Sequence, residues 1–467
     1  YHIDDQTLTV ASEIKTLAIA CGKKFYLNKK FIYNFLELNL VNLDDNCILE
    51  DVKQFKQGYL YSLNIRNDKI KLDETLFWNL NDQVKDYPNL KNLIYEQFFE
   101  NVKIRLRSDV KIGILLSGGL DSSTIASVVK KIDKNFNVQL LSYVNDSKTL
   151  NESEYIAIME KYLNVKSLKV KLPNNVDQYF ELLKEVSKKI DTPLPGSSNL
   201  AHYLMMKEAK KNNLKVILSG QGADETLCGY KKYSYIYLIN LLKNKKLFRF
   251  LYNVFFFLKN KTIFFQFNIN HAKKYLGINK KGSLYGLFFE EVGADKIYSI
   301  GQSLRSRQIE DVKTFSVPSI CHFEDRLSML NSVEIRFPFL GHNLIELFIS
   351  LSDEKKIYKG WSKYIFRKTF ENLLPKEISW RTDKNGFSTD FENKIMNNDY
   401  YEYLMTNYFN NDSNIFTKNI IQKEFFLKEF KKMSKSKYNN SLSNKIFSII
   451  SLEEWLRNNK STLSFRN

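Results

Sequence analysis

The sequence predicts an α/β fold: a parallel sheet, a mainly helical C-terminal part and a small N-terminal β-containing segment. Three observations lead there. Short apolar runs alternate with stretches of helical periodicity between residues 110 and 220, the pattern of parallel strands covered on both faces by helices. Two of those runs end in glycine-rich loops. Beyond about residue 231 the apolar residues follow helical spacing and are rich in aromatics to the end of the chain.

Taken in order, residues 1 to about 80 carry strand-like runs, "GYLYSLNI" and "DKIKL", separated by the turn-prone "RND". The sheet begins at "VKIGILL" (110–116) and continues through "NVQLLSYV", "SLKVKL" and "KVILSG". Between them lie the helical patterns "NESEYIAIMEKYL", "VDQYFELLKEVSKKI" and "NLAHYLMMKEAKK". Asn151 followed by Glu154 has the form of a capping box at one helix start. No internal repeat is present.

A chain of 467 residues, 43% hydrophobic, can bury a substantial core. The formal charge of +18 would permit an anionic partner. The lysines, however, are scattered among asparagines rather than gathered in one stripe, so a solvated basic surface is preferred to nucleic-acid binding. Cys21, Cys47, Cys228 and Cys321 are far apart and lack metal-ligand spacing, which favours a reducing compartment, the cytoplasm. The most apolar stretch, "LFRFLYNVFFFL" (247–258), is too short to span a bilayer, for which about 20 apolar residues are needed. It reads as a buried or partner-facing helix, with interfacial membrane contact as the weaker alternative. The first residue is Tyr1, and the reading expects a longer parent chain.

Chemistry concentrates in the two loops. In "GILLSGGLDSSTIAS" (113–127) an apolar strand ends at Leu116, Ser117-Gly118-Gly119 form a tight loop, and Ile125, Val128, Val129 and Ile132 recur at helical spacing. Strand, glycine loop and helix N-terminus together favour phosphate. The lysine of a Walker loop is missing, and Asp121 would repel bare phosphate, which implies a divalent cation between them. The second loop, "LSGQGADETLCGY" (218–230), is also glycine-rich and carries Asp224 beside Glu225.

Ser117-Gly118-Gly119-Leu120-Asp121-Ser122 resembles the pyrophosphate loop of the ATP-pyrophosphatase group, and "SGQGADE" before Gly229-Tyr230 resembles the second signature of the asparagine synthetase family. "EDRLSMLNSVEIRFPFL" (324–340) and "SKYIFRKTFENLLPKEISWRTDKNGF" (362–387) match two further family motifs in order. The resemblance implies ATP and Mg²⁺, activation of a carboxylate as an acyl-adenylate with release of pyrophosphate, and attack by ammonia. It places Ser117, Gly118, Gly119, Asp121 and Ser122 on pyrophosphate, Asp121 and Asp224 on the metal, and Leu116, Val144, Ser219 and Gly220 on the adenosine. Lys384 matches the lysine that stabilises charge on the phosphoryl group. The resemblance divides the chain into the tail of a class II glutaminase domain (1–80) and a synthetase domain (81–467), and leaves a homodimer open. The glutaminase nucleophile, an N-terminal cysteine, is not in this sequence, so ammonia rather than glutamine is the expected nitrogen source.

Three positions depart from the family. Gly341 stands where Asp is usual, Cys228 where Gly is common, and Gln221 where asparagine synthetases carry Glu and β-lactam synthetases Tyr. Gln221 can offer only a hydrogen bond. Either another group relays the nitrogen's protons or the acceptor needs no relay here, and the sequence reading leans to the second. Aspartate is the default acceptor. The alternatives are another carboxylate such as a sugar acid or peptide, ring closure, or a degenerate homologue that holds nucleotide without turnover. Glu334, Arg336 and Asp325 are divided between structural ion pairing and a direct role, and His202, His322 and His342 are expected at the surface or satisfied in the core.

Overall fold

The computed structural model describes all residues except 5, 42, 67–68, 146–151, 263–301, 383–388, 436–442 and 465–467. Its first elements are short. Strands β1 (His2–Ile3) and β2 (Leu8–Thr9) pair antiparallel, and α1 (Ile14–Cys21) and β3 (Phe25–Tyr26) follow. Asn28 starts α2 (Lys29–Leu38) by accepting a hydrogen bond from the Phe31 amide at 3.1 Å, and the helix buries Phe31, Ile32, Phe35 and Leu36. The two runs read as strands form a hairpin, β4 (Tyr59–Arg66) with β5 (Lys69–Leu76), in the register Ile65 opposite Ile70.

After α3 (Leu90–Arg105) come the elements of the main sheet: β6 (Ile112–Leu115), α4 (Leu120–Ile132), β7 (Gln139–Tyr143), α5 (Ser153–Leu163), β8 (Ser167–Val170), α6 (Val176–Lys189), α7 (Ser198–Lys211) and β9 (Val216–Leu218). The chain continues through α8 (Ala223–Thr226), α9 (Lys231–Lys243), α10 (Leu247–Lys259), α11 (Leu304–Glu310), α12 (Ser316–Met329) and β10 (Glu334–Arg336). Helices α13 (His342–Ser350), α14 (Asp353–Lys356) and α15 (Tyr364–Phe370) come next. The remainder is mainly helical, including Asn398–Asn407, Lys423–Lys435 and Ser443–Asn458, before β11 (Leu463–Ser464).

The five strands lie in the order β10-β9-β6-β7-β8, every pair parallel. Helix α4 covers one face, where Ile125, Ala126 and Val129 join Ile114 and Leu218. Helix α7 covers the other, where Met205 and Met206 meet Leu141 and Ile217. Burial on both faces explains why β6 and β9 read as continuous apolar runs instead of alternating ones. The sheet matches the expected fold class and adds β10, a three-residue strand paired as Glu334 with Val216. From β6 the chain runs outward to β7 and β8 on one side, while β9 lies on the other. The loops after β6 and β9 therefore sit side by side at the carboxyl edge, where open α/β sheets bind ligands.

Between α11 and α12 one turn, Asp311–Phe315, is π-helical. Asp311 is fully buried there and accepts hydrogen bonds from Tyr233 Oη (2.7 Å) and Arg307 Nε (3.0 Å), with Lys232 Nζ at 2.8 Å. This buried network fixes the wide turn and hence the direction in which α12 leaves it. Asp311→Ala would leave Lys232 and Arg307 without their shared anion. It is expected to destabilise the fold by about 3–5 kcal/mol, measured by urea unfolding.

Candidate active site

The first loop is shaped before any ligand arrives. Leu116 donates its amide to Leu141 O at 2.7 Å and accepts from Ser142 Oγ at 2.7 Å, so the end of β6 is tied to β7. Gly118 then takes a left-handed φ of 68°, and a Cβ on it would stand 2.5 Å from Tyr155 Cβ, so only glycine fits. Ser122 Oγ, in the first turn of α4, receives the Ser117 amide at 3.2 Å and lies 3.2 Å from Ser117 Oγ. Strand, loop and helix are thereby closed into one unit, with the helix N-terminus at its centre.

Asp121 leads out of that turn and meets the second loop through a lysine. Lys363 Nζ lies 2.7 Å from both carboxylate oxygens of Asp121 and 2.6 Å from Asp224 Oδ1, with its side chain 2% exposed. Both acids thus converge on one cationic centre. Gly229 makes room for it, because a Cβ there would lie 1.8 Å from Asp224 Oδ1 and 2.3 Å from Lys363 Cε. Arg367 is buried one turn further along α15; loss of water pushes its pKa down to about 10, and the two aspartates oppose that shift. Arg381 pairs with Glu152 at 3.0 Å, stacks 3.8 Å from the Tyr155 ring centroid and hydrogen-bonds Gly118 O at 3.4 Å.

Both loops open into a cavity of about 440 Å³. From the first loop Leu116, Ser117, Gly119, Asp121 and Ser122 face it, and from the second Ser219, Gly220, Gln221 and Asp224. Gly118 supports the loop from behind. Val144 is buried beside a smaller neighbouring cavity, and its neighbour Tyr143 faces the large one. Lys384 lies outside the described residues, as does Asn151; α5 starts with Glu152 in the cap position and no side-chain cap bond.

The far wall comes from α12, re-aimed by the π-turn. Glu324 accepts hydrogen bonds from Gln221 Nε2 at 2.9 Å and Ser219 Oγ at 3.0 Å. Desolvation pushes its carboxyl up to about 7, against the two hydrogen bonds. His202 bonds the Glu324 backbone and burial drives its pKa down to about 4, so it is neutral. Behind the second loop, buried Glu225 accepts from Tyr230 Oη at 3.0 Å, and desolvation followed by the Asp224 charge raises it to about 7. Arg336 pairs with Glu334 at 2.7 Å and donates to Arg105 O and Arg107 O at 2.8 Å, so Arg336 ties β10 to the end of α3, and neither residue lines the large cavity. Asp325 pairs with Arg326 on the outer side of α12.

The asparagine synthase family model matches residues 93–457. The chain belongs to the asparagine synthase family. It is 26% identical over 416 residues to glutamine-hydrolyzing asparagine synthetase 1 of Bacillus subtilis, covering 85% of this chain and 64% of that one. It is 29% identical over 236 residues to a putative asparagine synthetase of Methanocaldococcus jannaschii, covering 49% of this chain and 44% of that one. It is 26% identical over 305 residues to the asparagine synthetase of Homo sapiens, covering 64% of this chain and 43% of that one. The chain therefore spans 43% to 64% of the length of these relatives.

Within this asparagine synthase domain, Lys363, Arg381 and Glu324 escaped the sequence reading although all three lie in the quoted motifs. Cys228 also gains a local explanation: it is buried and takes a left-handed φ of 59°, the conformation for which glycine is the easier choice. Gly229→Ala is expected to displace the Asp224 carboxylate while the fold stays intact. The weakened clamp should lower the melting temperature by about 2–4 °C, measured by thermal unfolding of the purified variant.

Proposed function

We propose that this chain forms an amide from a carboxylate, ATP and ammonia through an acyl-adenylate, with aspartate as the default acceptor. One observation carries the reading: Asp121 and Asp224, from loops on either side of the sheet's switch point, converge on a cation and line one cavity with a carboxylate, Glu324, whose pKa is near neutrality. A carboxylate is a poor electrophile, and adenylation gives it a leaving group. The acceptor oxygen attacks the α-phosphorus, the bond to the bridging oxygen breaks, and pyrophosphate leaves. Donors at the glycine loop and the Lys363 ammonium then face the charge that develops on the departing phosphates.

The donor set fits magnesium. Among the described residues no cluster of three or more His, Cys, Asp or Glu could enclose a metal, but magnesium is usually held by one or two carboxylates and completed by phosphate oxygens and water. Asp121 and Asp224 would hold it, and when bound it would neutralise the β and γ phosphates. Lys384 is proposed to act on charge at the reacting phosphoryl group. Glu324 is proposed to take a proton from the nitrogen as it attacks the acyl carbon and AMP leaves, with Gln221 and Ser219 holding it in place.

The lining of the cavity favours a second reading of the acceptor. Its charged groups among the described lining residues are Asp121, Glu152, Asp224 and Glu324, all acidic. Asp121 and Asp224 share Lys363 and Glu152 is paired with Arg381, so Glu324, once ionised, is the acid that repels a dicarboxylate and spares a carboxylate on an uncharged body. A pyrophosphate-release screen with ammonia decides between them: preference for aspartate supports the default, preference for a larger uncharged acid supports the second reading, and release with no acid tested refutes both.

Two outcomes are expected from variants. Glu324→Gln should lower turnover by about 10²–10⁴-fold with ATP affinity retained. The native rate at constant free ammonia should rise as Glu324 ionises through a pH of about 7, and the variant should lack that rise. Lys384→Ala should slow the chemical step roughly a hundredfold, read from single-turnover pyrophosphate release, with nucleotide binding almost unchanged.

A further inference from the structure

Helix α10 presents a second face that the amide chemistry does not use. Its inner side is firmly seated: Phe257 and Asn253 are buried against α9, Thr262 Oγ1 bonds Gly360 O at 2.6 Å and Asn260 Nδ2 bonds Lys359 O at 2.8 Å. Its outer side is apolar and open. Phe248 is 91% exposed, Phe255 57% and Leu251 56%, and Leu247, Tyr252 and Leu258 are exposed with them. At about 100° per residue these six side chains fall within one arc of the helix surface. A helix held this well on one side and left this apolar on the other is not a frayed end.

The charges around the arc are of one sign. Lys243, Lys245 and Lys246 precede it, Lys259 and Lys261 follow it, all exposed, and residues 231–262 contain no Asp or Glu. Among the described residues, the acids nearest this flank are Glu354, paired with Arg249, and Asp353, which feels the charge of Lys246. We propose that α10 docks the protein on the surface of an anionic lipid bilayer, lying in the plane of the headgroups. Leucine and aromatic side chains enter the acyl boundary while the flanking lysines reach the phosphates. A second copy of this face is the poorer occupant, because a two-fold contact would set lysine against lysine. The helix has 13 residues, and among the described residues no helix is long and apolar enough to cross a membrane, so the contact is one of lying on the surface.

The test is co-sedimentation of the full chain with phosphatidylcholine vesicles, with and without phosphatidylglycerol. The chain should partition onto the anionic vesicles only, less so as salt rises. Phe248→Glu with Phe255→Glu, and separately Lys243→Glu with Lys246→Glu, should each weaken partitioning by more than about tenfold and leave melting temperature and pyrophosphate release unchanged. Three results would overturn the proposal: no partitioning of the native chain, partitioning unaffected by either pair, or self-association in solution that the phenylalanine pair abolishes. A large fall in melting temperature for the phenylalanine pair would likewise overturn it, since the face would then be covered by the chain itself.

Discussion

Two carboxylates facing each other in a recess need a cation between them, and Lys363 supplies it for Asp121 and Asp224. Like charges about 4 Å apart repel by about 4 kcal/mol at an effective dielectric constant near 20, comparable to much of a domain's net stability. The ammonium turns that repulsion into a clamp between the loops after β6 and β9. Around it the sequence is tightly constrained: Gly229 leaves space for the Asp224 carboxylate, Gly118 lets the first loop turn against Tyr155, and Arg381 fastens the later motif to that loop. Any ligand that drew on either aspartate would have to rearrange this ion cluster.

The second dependency is a proton. Glu324 and Gln221 form a pair in which the amide donates and the carboxylate accepts. A glutamate at position 221 would set two acids within hydrogen-bond distance, and they would share a proton with two coupled apparent pKa values. Glutamine avoids this and leaves Glu324 as one titrating group near neutrality. The family departure at Gln221 thus sits beside a carboxylate from α12, the kind of group that the first of the two options left open by the sequence would need. How α12 reaches the cavity is decided at the turn that leads into it, by the buried charges around Asp311.

What the sequence revealed was what is local in it. Strand, glycine loop and helix follow one another within a few residues, so both loops and four of the five strands could be read from period and punctuation. β10 could not, because three residues carry no period. Glu324 stands 103 residues from Gln221, and Lys363 stands 242 from Asp121, so each contact exists only once the chain has folded. One lysine in a Lys-rich chain has no local mark that separates it from a solvated one. Val144 follows the last residue of β7, and its neighbour Tyr143 is the residue that lines the large cavity.

The pairing of β3 with β11, Phe25 with Leu463, joins regions separated by almost the whole sequence. The apolar side of α2, with Phe31, Phe35 and Leu36, belongs to the same cluster as Phe447, Ile450 and Trp455 of the Ser443–Asn458 helix. Trp455 Nε1 also donates to Asp191 O at 2.9 Å. During synthesis, at about 5–20 residues per second, the first of these partners must wait for the last. For many seconds a nascent chain would hold these phenylalanines against nearer members of the cluster such as Leu17, Ile48 and Leu49, without the helix that completes their burial, a state that chaperones recognise and aggregates recruit. The clasp between β3 and β11 thus comes last in the order of synthesis, and the core beside it is the last to be sealed.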